Sequence, residues 1–373
     1  MPDGATKWAE VDLDAITENA RAVSELIGSG VALMAVVKAN GYGHGSIEAA
    51  RAALRGGATW LGVSSVSEGL ELRAAGLPSR ILNLGYTPPD ALAQAVEADL
   101  SLTVYEDGTL DALERVPRRH PTGVHVKVDT GMHRLGAQPE AACRLAGRVE
   151  QSPAMSLEGL FTHFADADGT DPAFTRAQLT TFLDVRQRLI QERGPGFVSH
   201  AANSAGLLRF PDARLDLVRA GIILYGVSPA ADFLPLPRLR PALRWGAIVT
   251  NLQTLSAGES VGYGRRFSAT STTRIATIAA GYADGLFRCL SNQGHAVLRG
   301  RRVPIAGTIS MDQAALDVTA VPQVQIGDVA WLIGGEGEAR IRAEDVARDA
   351  GTIPYEVLCA VSARVPRRYR SDA

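Results

Sequence analysis

The chain has 373 residues, with 38 Lys or Arg against 40 Asp or Glu for a net charge of −2; hydrophobic residues make up 46% and charged residues 21%. This is globular rather than disordered composition, long enough for two or three domains, and its near-neutral charge without a basic run argues against a sequence-independent nucleic-acid binder. No apolar stretch approaches the roughly 20 residues that cross a bilayer. The opening, MPDGATKWAEVDLDAI, lacks the apolar core of a secretory signal, so a cytoplasmic protein is expected. From there to about residue 225, short apolar runs alternate with longer amphipathic stretches. The runs are 31–37, 60–65, 80–84, 101–104, 123–128, 156–161, 197–201 and 216–220. Their length and their Val, Ile and Leu content suit strands buried on both faces. Helical patterns fill the gaps at 46–57, 66–76 and 171–194. In the last, Phe174, Leu179, Phe182, Leu183 and Leu189 follow one helix face, with Pro172 near its start and Gly194 at its end. Eight strands alternating with helices over about 200 residues predict a (β/α)8 barrel. A doubly wound open sheet is the alternative, but no GxGxxG turn follows the first run.

The pattern changes after residue 233. The stretch PLPRLRP (235–241) reads as a linker, and closely spaced strand candidates follow at 243–255, 274–280, 295–300, 302–307, 314–321 and 328–335. Two helical pieces, 342–351 and 354–365, complete a mostly β second domain. The expected organisation is thus a barrel over 1–233 and a β-domain over 234–373, with the extreme N-terminus free to join the latter. The three cysteines, Cys143, Cys289 and Cys359, make no CxxC pair, which fits a reducing compartment. No HExxH or Cys/His cluster suggests a metal.

In a barrel the chemistry sits at the C-terminal ends of the strands. The first run is followed by Lys38 and then by glycines 41, 43 and 45. The fifth carries Lys127 and leads to Asp129 and Arg134, the sixth ends in Thr162 and His163, the seventh in Asn203 and Ser204, and the eighth carries Arg219 before Gly221 and Ile222. A strand-end lysine commonly snorkels to solvent; the sharper reading of Lys38 is a desolvated amine able to bond covalently to a carbonyl group. The glycines let backbone approach a ligand. Ser204, Gly221 and Ile222 follow the seventh and eighth strands, where barrels often hold a phosphate, although a hydroxyl cap and a turn glycine would read the same. Arg219, if buried, needs either an acid such as Asp216 or a ligand acceptor. Histidines other than His163 are expected on the surface or in loops.

These residues carry a resemblance. VVKANGYGHG (36–45), KVDTGMHRLG (127–136), THFADAD (162–168), HAANSAGLLRFP (200–211), VRAGIILYG (218–226), GYGRRF (262–267), GYADG (281–285), SMDQ (310–313), TIPYEVLC (352–359) and RVPRRY (364–369) stand in the order seen in alanine racemases. The chain resembles that family from residue 8 onward. The resemblance implies a barrel that binds pyridoxal 5'-phosphate, a β-domain, and a head-to-tail homodimer with shared sites. It implies that Lys38 holds the cofactor and is one of two acid/base groups, the second being Tyr263 of the other subunit. Tyr42, Asn203, Ser204, Gly221, Ile222 and Tyr355 would hold the phosphate end, Arg219 would face the pyridine nitrogen, and His163 would lie near the ring and connect to Arg219. Arg134 and the Met311 backbone would bind the substrate carboxylate, and Tyr282 with Tyr355 would narrow the access route. Lys127 matches a lysine that many members carry as a carbamate, positioning Arg134; a plain lysine paired with Asp129 is the other option. The implied reaction is interconversion of L- and D-alanine by two bases on opposite faces, supplying D-alanine for cell-wall peptidoglycan.

The chain departs from the family pattern at His133, where smaller residues are common, at Gly262 in place of a serine, at Thr308 in place of a frequent arginine, and at Ser310, where cysteine is also common. Three competing functions are a broader amino-acid racemase, a basic-amino-acid decarboxylase of related architecture, and a non-catalytic cofactor carrier. The decarboxylase would favour an acid where Arg219 stands, and the carrier would lack the second domain.

Overall fold

The computed structural model describes residues 4–230, 233 and 239–371. The chain divides into two compact units. One comprises Ile16–Gly41 and Ser46–Arg240; the other joins the residues up to Ala15, the short stretch Tyr42–Gly45 and the residues from Pro241 onward. The boundary expected between 233 and 234 falls beside a stretch outside the described residues. The proline-rich linker reading lies outside them as far as residue 238.

Strand β1 is Lys7–Asp12, which the sequence reading did not pick out as a strand. The first unit contains eight parallel strands: β2 (Ala32–Val36), β3 (Trp60–Val63), β4 (Arg80–Asn83), β5 (Ser101–Val104), β6 (Thr122–Lys127), β7 (Met155–Phe161), β8 (Val198–His200) and β9 (Leu217–Ala220). They run in the order β8-β7-β6-β5-β4-β3-β2-β9. Each coincides with one of the apolar runs. The seam between β8 and β9 is crossed by two backbone hydrogen bonds, Asp216 N to Ser199 O at 3.1 Å and Arg219 N to Ala202 O at 3.0 Å, so the barrel of the sequence reading closes. Its lower lumen is apolar, filled by Met34, Trp60, Leu82 and Leu217. Above them the lumen turns polar: His125, Lys127, His200 and Arg219 are all buried. The helix Ala173–Arg193 ends on Gly194 at φ +84°. It buries Leu179, Phe182 and Leu189 as its apolar stripe requires, whereas Phe174 stays 47% exposed beside Gly131.

The second unit carries β10 (Leu243–Leu255), β11 (Ser260–Val261), β12 (Phe267–Ser268), β13 (Thr273–Ile278), β14 (His295–Leu298), β15 (Arg301–Pro304), β16 (Ala314–Asp317), β17 (Val329–Glu336), β18 (Ala339–Ile341) and β19 (Arg367–Arg370). Its nine-stranded sheet runs β15-β14-β17-β10-β1-β19, with β13, β16 and β18 attached to the side. The N-terminal strand therefore pairs with distant partners, antiparallel to β10 and parallel to β19. Trp8, Val297, Trp331 and Ile341 pack under this sheet. Pairing of that kind leaves no local signature in a sequence.

Candidate active site

At the C-terminal rim of the barrel, Lys38 follows β2 after a single residue, Val37. The chain there does what few L-residues do. Ala39, Asn40, Gly41 and Tyr42 all adopt φ between +52° and +60°, a short left-handed turn that costs roughly 1–2 kcal/mol for each non-glycine residue. Its hydrogen bonds hold it in place: Gly41 N donates to Val37 O at 2.8 Å, Ala39 N to Glu68 Oε1 at 2.8 Å, and Ser46 N to Asn40 Oδ1 at 3.1 Å. Strain maintained in this way marks functional sites. A side chain at Gly43 would strike the Leu358 carbonyl, and one at Gly45 the Tyr369 hydroxyl, so these two glycines permit close chain packing.

Arg219 on β9 is 3% exposed. Its Nη1 donates to His200 O at 3.0 Å and to His200 Nδ1 at 2.8 Å; its Nη2 donates to Thr162 O at 2.8 Å, Ala201 O at 2.9 Å and His163 Nδ1 at 3.1 Å. Among the described residues Nε has no hydrogen-bond partner. The Asp216 alternative fails, because Asp216 instead accepts from Ser199 N at 2.8 Å. Burial without a carboxylate pushes Arg219 down to about 9, still above neutrality, so it remains a cation. Burial first, and the Arg219 charge next, hold His163 and His200 well below the ordinary histidine range, as neutral rings.

Lys127 at the end of β6 is also buried. Burial, then the charges of Arg219 and Arg134, lower its amine to about 8, with Lys38 adding to the effect and Asp129 opposing it. The ion pair with Asp129 does not form. Asp129 instead accepts from Gly131 N and His133 N through Oδ1, both at 3.0 Å, and faces His133 Nδ1 at 3.0 Å through Oδ2. His133 sits at φ +54°, the left-handed region that favours small residues and, among larger ones, histidine and asparagine. Arg134 lies exposed beside it.

Asn203 caps the helix Ser204–Arg209, its side chain accepting from Gly206 N at 2.9 Å. The Ser204 hydroxyl accepts the Gly221 amide at 2.9 Å, and Ile222 follows fully buried. The hydroxyl and the amide thus meet at one point of the rim.

In the other unit, Tyr42 and Tyr355 place their rings 6.1 Å apart. Burial, then the proximity of Tyr355 and Cys359, raises Tyr42 above the ordinary phenol range, so it is a neutral donor. Tyr263, between β11 and β12, is 74% exposed. Thr308 donates its hydroxyl to the Tyr263 carbonyl at 2.8 Å. Tyr282 N and Ala283 N donate to Ser310 O and Met311 O, each at 3.0 Å, which ties those two segments together; a side chain at Gly281 would strike both carbonyls.

Several participants escaped the sequence reading. His125 and His200 are fully buried on strands, against the expectation of surface or loop positions, whereas His44, also buried, lies in a turn as expected. Gln178 donates to Thr130 Oγ1 at 3.2 Å and to His163 O at 3.3 Å, and accepts from Ala165 N at 2.9 Å, bracing the loop that carries His163. A polar residue set in the apolar stripe of a helix was the available signal for Gln178. For His125 and His200 the signal was a histidine inside an apolar run.

Residues 11–229 match the family described as alanine racemase, N-terminal domain, and residues 242–369 match alanine racemase, C-terminal domain. Among curated relatives, the alanine racemase of Halothermothrix orenii is 40% identical over 366 residues, covering 98% of this chain and 97% of its own. That of Symbiobacterium thermophilum is 42% identical over 367 residues, with 98% and 97% covered. Among solved structures, alanine racemase from the D-cycloserine producer Streptomyces lavendulae superposes with a TM-score of 0.93 at 36% identity, covering 99% of this chain and 98% of its own. The Bacillus anthracis enzyme with bound L-Ala-P gives 0.93 at 36% identity, covering 100% and 97%.

Proposed function

The chain belongs to the alanine racemase family, and from that premise we propose that it interconverts L- and D-alanine with pyridoxal 5'-phosphate as cofactor, supplying D-alanine for peptidoglycan. The observation that carries the cofactor reading is Arg219. It is a buried cation whose terminal nitrogens are spent on neutral acceptors while Nε is not. An arginine has donors only, so a ring nitrogen facing Nε stays unprotonated. The residues present fit the cofactor in other ways too. Ser204 and Gly221 bring a hydroxyl and an amide together, Asn203 holds the turn that carries Ser204, Ile222 continues the loop, and Tyr42 offers a neutral phenol, with Tyr355 beside Tyr42 as a further phosphate contact. When bound, pyridoxal 5'-phosphate supplies the electron-withdrawing ring that acidifies the α-proton.

The remaining chemistry belongs to the chain. Lys38 would hold the cofactor covalently, and its Nζ takes or returns the proton on one face. Tyr263 does the same at Oη on the opposite face, donated by the partner subunit of a head-to-tail dimer; its exposure on the single chain supports this. Arg134 and the Met311 backbone hold the substrate carboxylate, Tyr282 and Tyr355 narrow the approach, and Lys127, as a carbamate, would accept from Arg134. His163 neutralises nothing itself but orients Arg219. The cytoplasm is the proposed compartment, in keeping with Cys143, Cys289 and Cys359 forming no disulfide among the described residues.

The test is a mixing experiment on holoenzyme. Lys38→Ala and Tyr263→Phe should each be nearly inactive in an L/D-alanine assay, and Lys38→Ala should lose the cofactor absorbance. Refolded together they should regain activity, because one site of each mixed dimer is then intact. Retained racemisation by Lys38→Ala overturns the scheme, and no recovery on mixing overturns the shared site. Faster turnover of serine or lysine than of alanine overturns the substrate assignment.

A further inference from the structure

Beneath Arg219 a file of polar side chains runs down the barrel lumen. Arg219 Nη1 lies 2.8 Å from His200 Nδ1, His200 Nε2 lies 2.8 Å from His125 Nδ1, and His125 Nε2 lies 3.4 Å from Glu158 Oε2. Glu158 in turn accepts from the Ser101 hydroxyl and sits 3.3 Å from Arg80 Nη1. His125 Nε2 is buried and makes no hydrogen bond among the described residues; the Glu158 carboxylate faces it at 3.4 Å.

The two ends of this file dictate its protons. Arg219 can only donate and an ionised carboxylate can only accept. His200 must therefore accept at Nδ1 and carry its proton on Nε2. His125 must then accept at Nδ1 and carry its proton on Nε2, aimed at Glu158. The opposite order would set an N–H of Arg219 against an N–H of His200. Burial opposes ionisation of Glu158, but its contacts with His125, Ser101 and Arg80 outweigh that, and its carboxyl sits below the usual range. Burial likewise keeps both histidines neutral.

The backbone is shaped to admit this file. The β6–β7 register slips between Val124 and His125, so that Leu157 pairs with Val124 and Gly159 with His125, leaving Glu158 as the extra residue of a bulge. A bulge re-aims a side chain, and here it is the carboxylate that is re-aimed. Side chains at Gly123 and Gly159 would overlap Glu158 and His125 respectively. Phe161 stacks on His200 with centroids 4.7 Å apart and planes within 1°, which fixes the ring's tilt.

We propose that Glu158 is a positioning residue for racemisation: facing His125 Nε2, it stabilises from the far end the proton order that Arg219 dictates, and so steadies the orientation that Arg219 presents to the cofactor ring nitrogen. This rests on the reading that Arg219 faces that nitrogen. A filler role for Glu158 would leave the histidine resonances and turnover per folded site unchanged when its charge is removed.

The experiment combines ¹⁵N-histidine NMR with kinetics on wild type and Glu158→Gln, whose amide can either donate or accept and carries no charge. In wild-type apoprotein and holoenzyme, His125 and His200 should each show a single Nε2–H tautomer. In Glu158→Gln His200 should keep its Nε2–H tautomer, because Arg219 still only donates, but the His125 and His200 ring resonances should shift and kcat should fall roughly 10-fold, with KM for alanine within about 2-fold because the carboxylate site is untouched. A wild-type His200 protonated on Nδ1, or a Glu158→Gln holoenzyme with unchanged kcat per cofactor-loaded site, overturns the proposal. Should Glu158→Gln not fold, Glu158→Asp, which keeps the charge but draws it away from His125, takes its place in the same comparison. The wild-type apoprotein spectrum needs no cofactor, so wild-type protein that neither binds pyridoxal 5'-phosphate nor racemises alanine would sink the functional reading while leaving the proton order intact.

Discussion

Thr308 stands where the family often has an arginine, yet its short side chain is engaged, holding the carbonyl of Tyr263. That bond orients the backbone of an otherwise exposed loop. Thr308→Val should therefore lower turnover several-fold, as expected from losing about 1 kcal/mol of hydrogen bonding, while the β-domain keeps its melting temperature within a few degrees; scanning calorimetry beside steady-state rates would check both. Lys127 belongs to the same scale. Its amine, lowered by burial and by Arg219 and Arg134 to about 8, is partly neutral at physiological pH, and only a neutral amine adds carbon dioxide. Holoenzyme equilibrated with ¹³C-bicarbonate should show a carbamate resonance that Lys127→Ala lacks. Its absence from the wild-type spectrum would leave Lys127 a plain cation beside Arg134. Neither role could be read from residue type alone, since both depend on what the chain places nearby.

At the scale of elements, two irregular pieces do more for the site than the regular strands. The left-handed turn after Lys38 places four successive residues at positive φ, and nothing in the string Ala-Asn-Gly-Tyr requires that conformation. Neighbouring hydrogen bonds impose it, including one that Ala39 N donates to the distant Glu68. The bulge at Glu158 is the second piece. Read as an alternating strand, 156–161 sends Glu158 outward; the slipped register brings its carboxylate to His125. Gly159 is the element's weak point, because a methyl there would overlap the His125 ring. Gly159→Ala should destabilise the barrel by about 1–3 kcal/mol, the usual range for overpacking, seen as a lower midpoint in urea. A neutral result would mean that His125 has room to move and that its contact with His200 is loose.

For the molecule as a whole, the lumen histidines couple folding to pH. His125, His163 and His200 all lie below their ordinary value of 6.5, with burial the leading cause. They stay neutral in the fold and become free to protonate on unfolding. Below pH 6.5 the unfolded chain therefore binds more protons, and stability falls as pH is lowered through that value, by up to about 1.4 kcal/mol per pH unit for each histidine. Calorimetric unfolding in buffers of different ionisation heat should show proton uptake approaching three per molecule at mildly acidic pH; uptake near zero would mean that these rings are already charged in the fold. Much of the architecture was legible beforehand, because a barrel strand buried on both faces must be a short apolar run, and all eight such runs became strands. The rim residues Lys38, Lys127, His163, Ser204 and Arg219 were legible for the same reason, standing just after or at the end of those runs. The sequence by itself thus determined the alternation, the barrel and the identity of the rim. The tertiary structure alone decided that Arg219 takes imidazoles and carbonyls rather than Asp216, that Asp129 turns to His133 and not to Lys127, and that β1 pairs with strands more than two hundred residues away. Hydrophobic periodicity is a local property of the chain, whereas the partner of a buried polar group is set by register, bulges and the positions of distant strands.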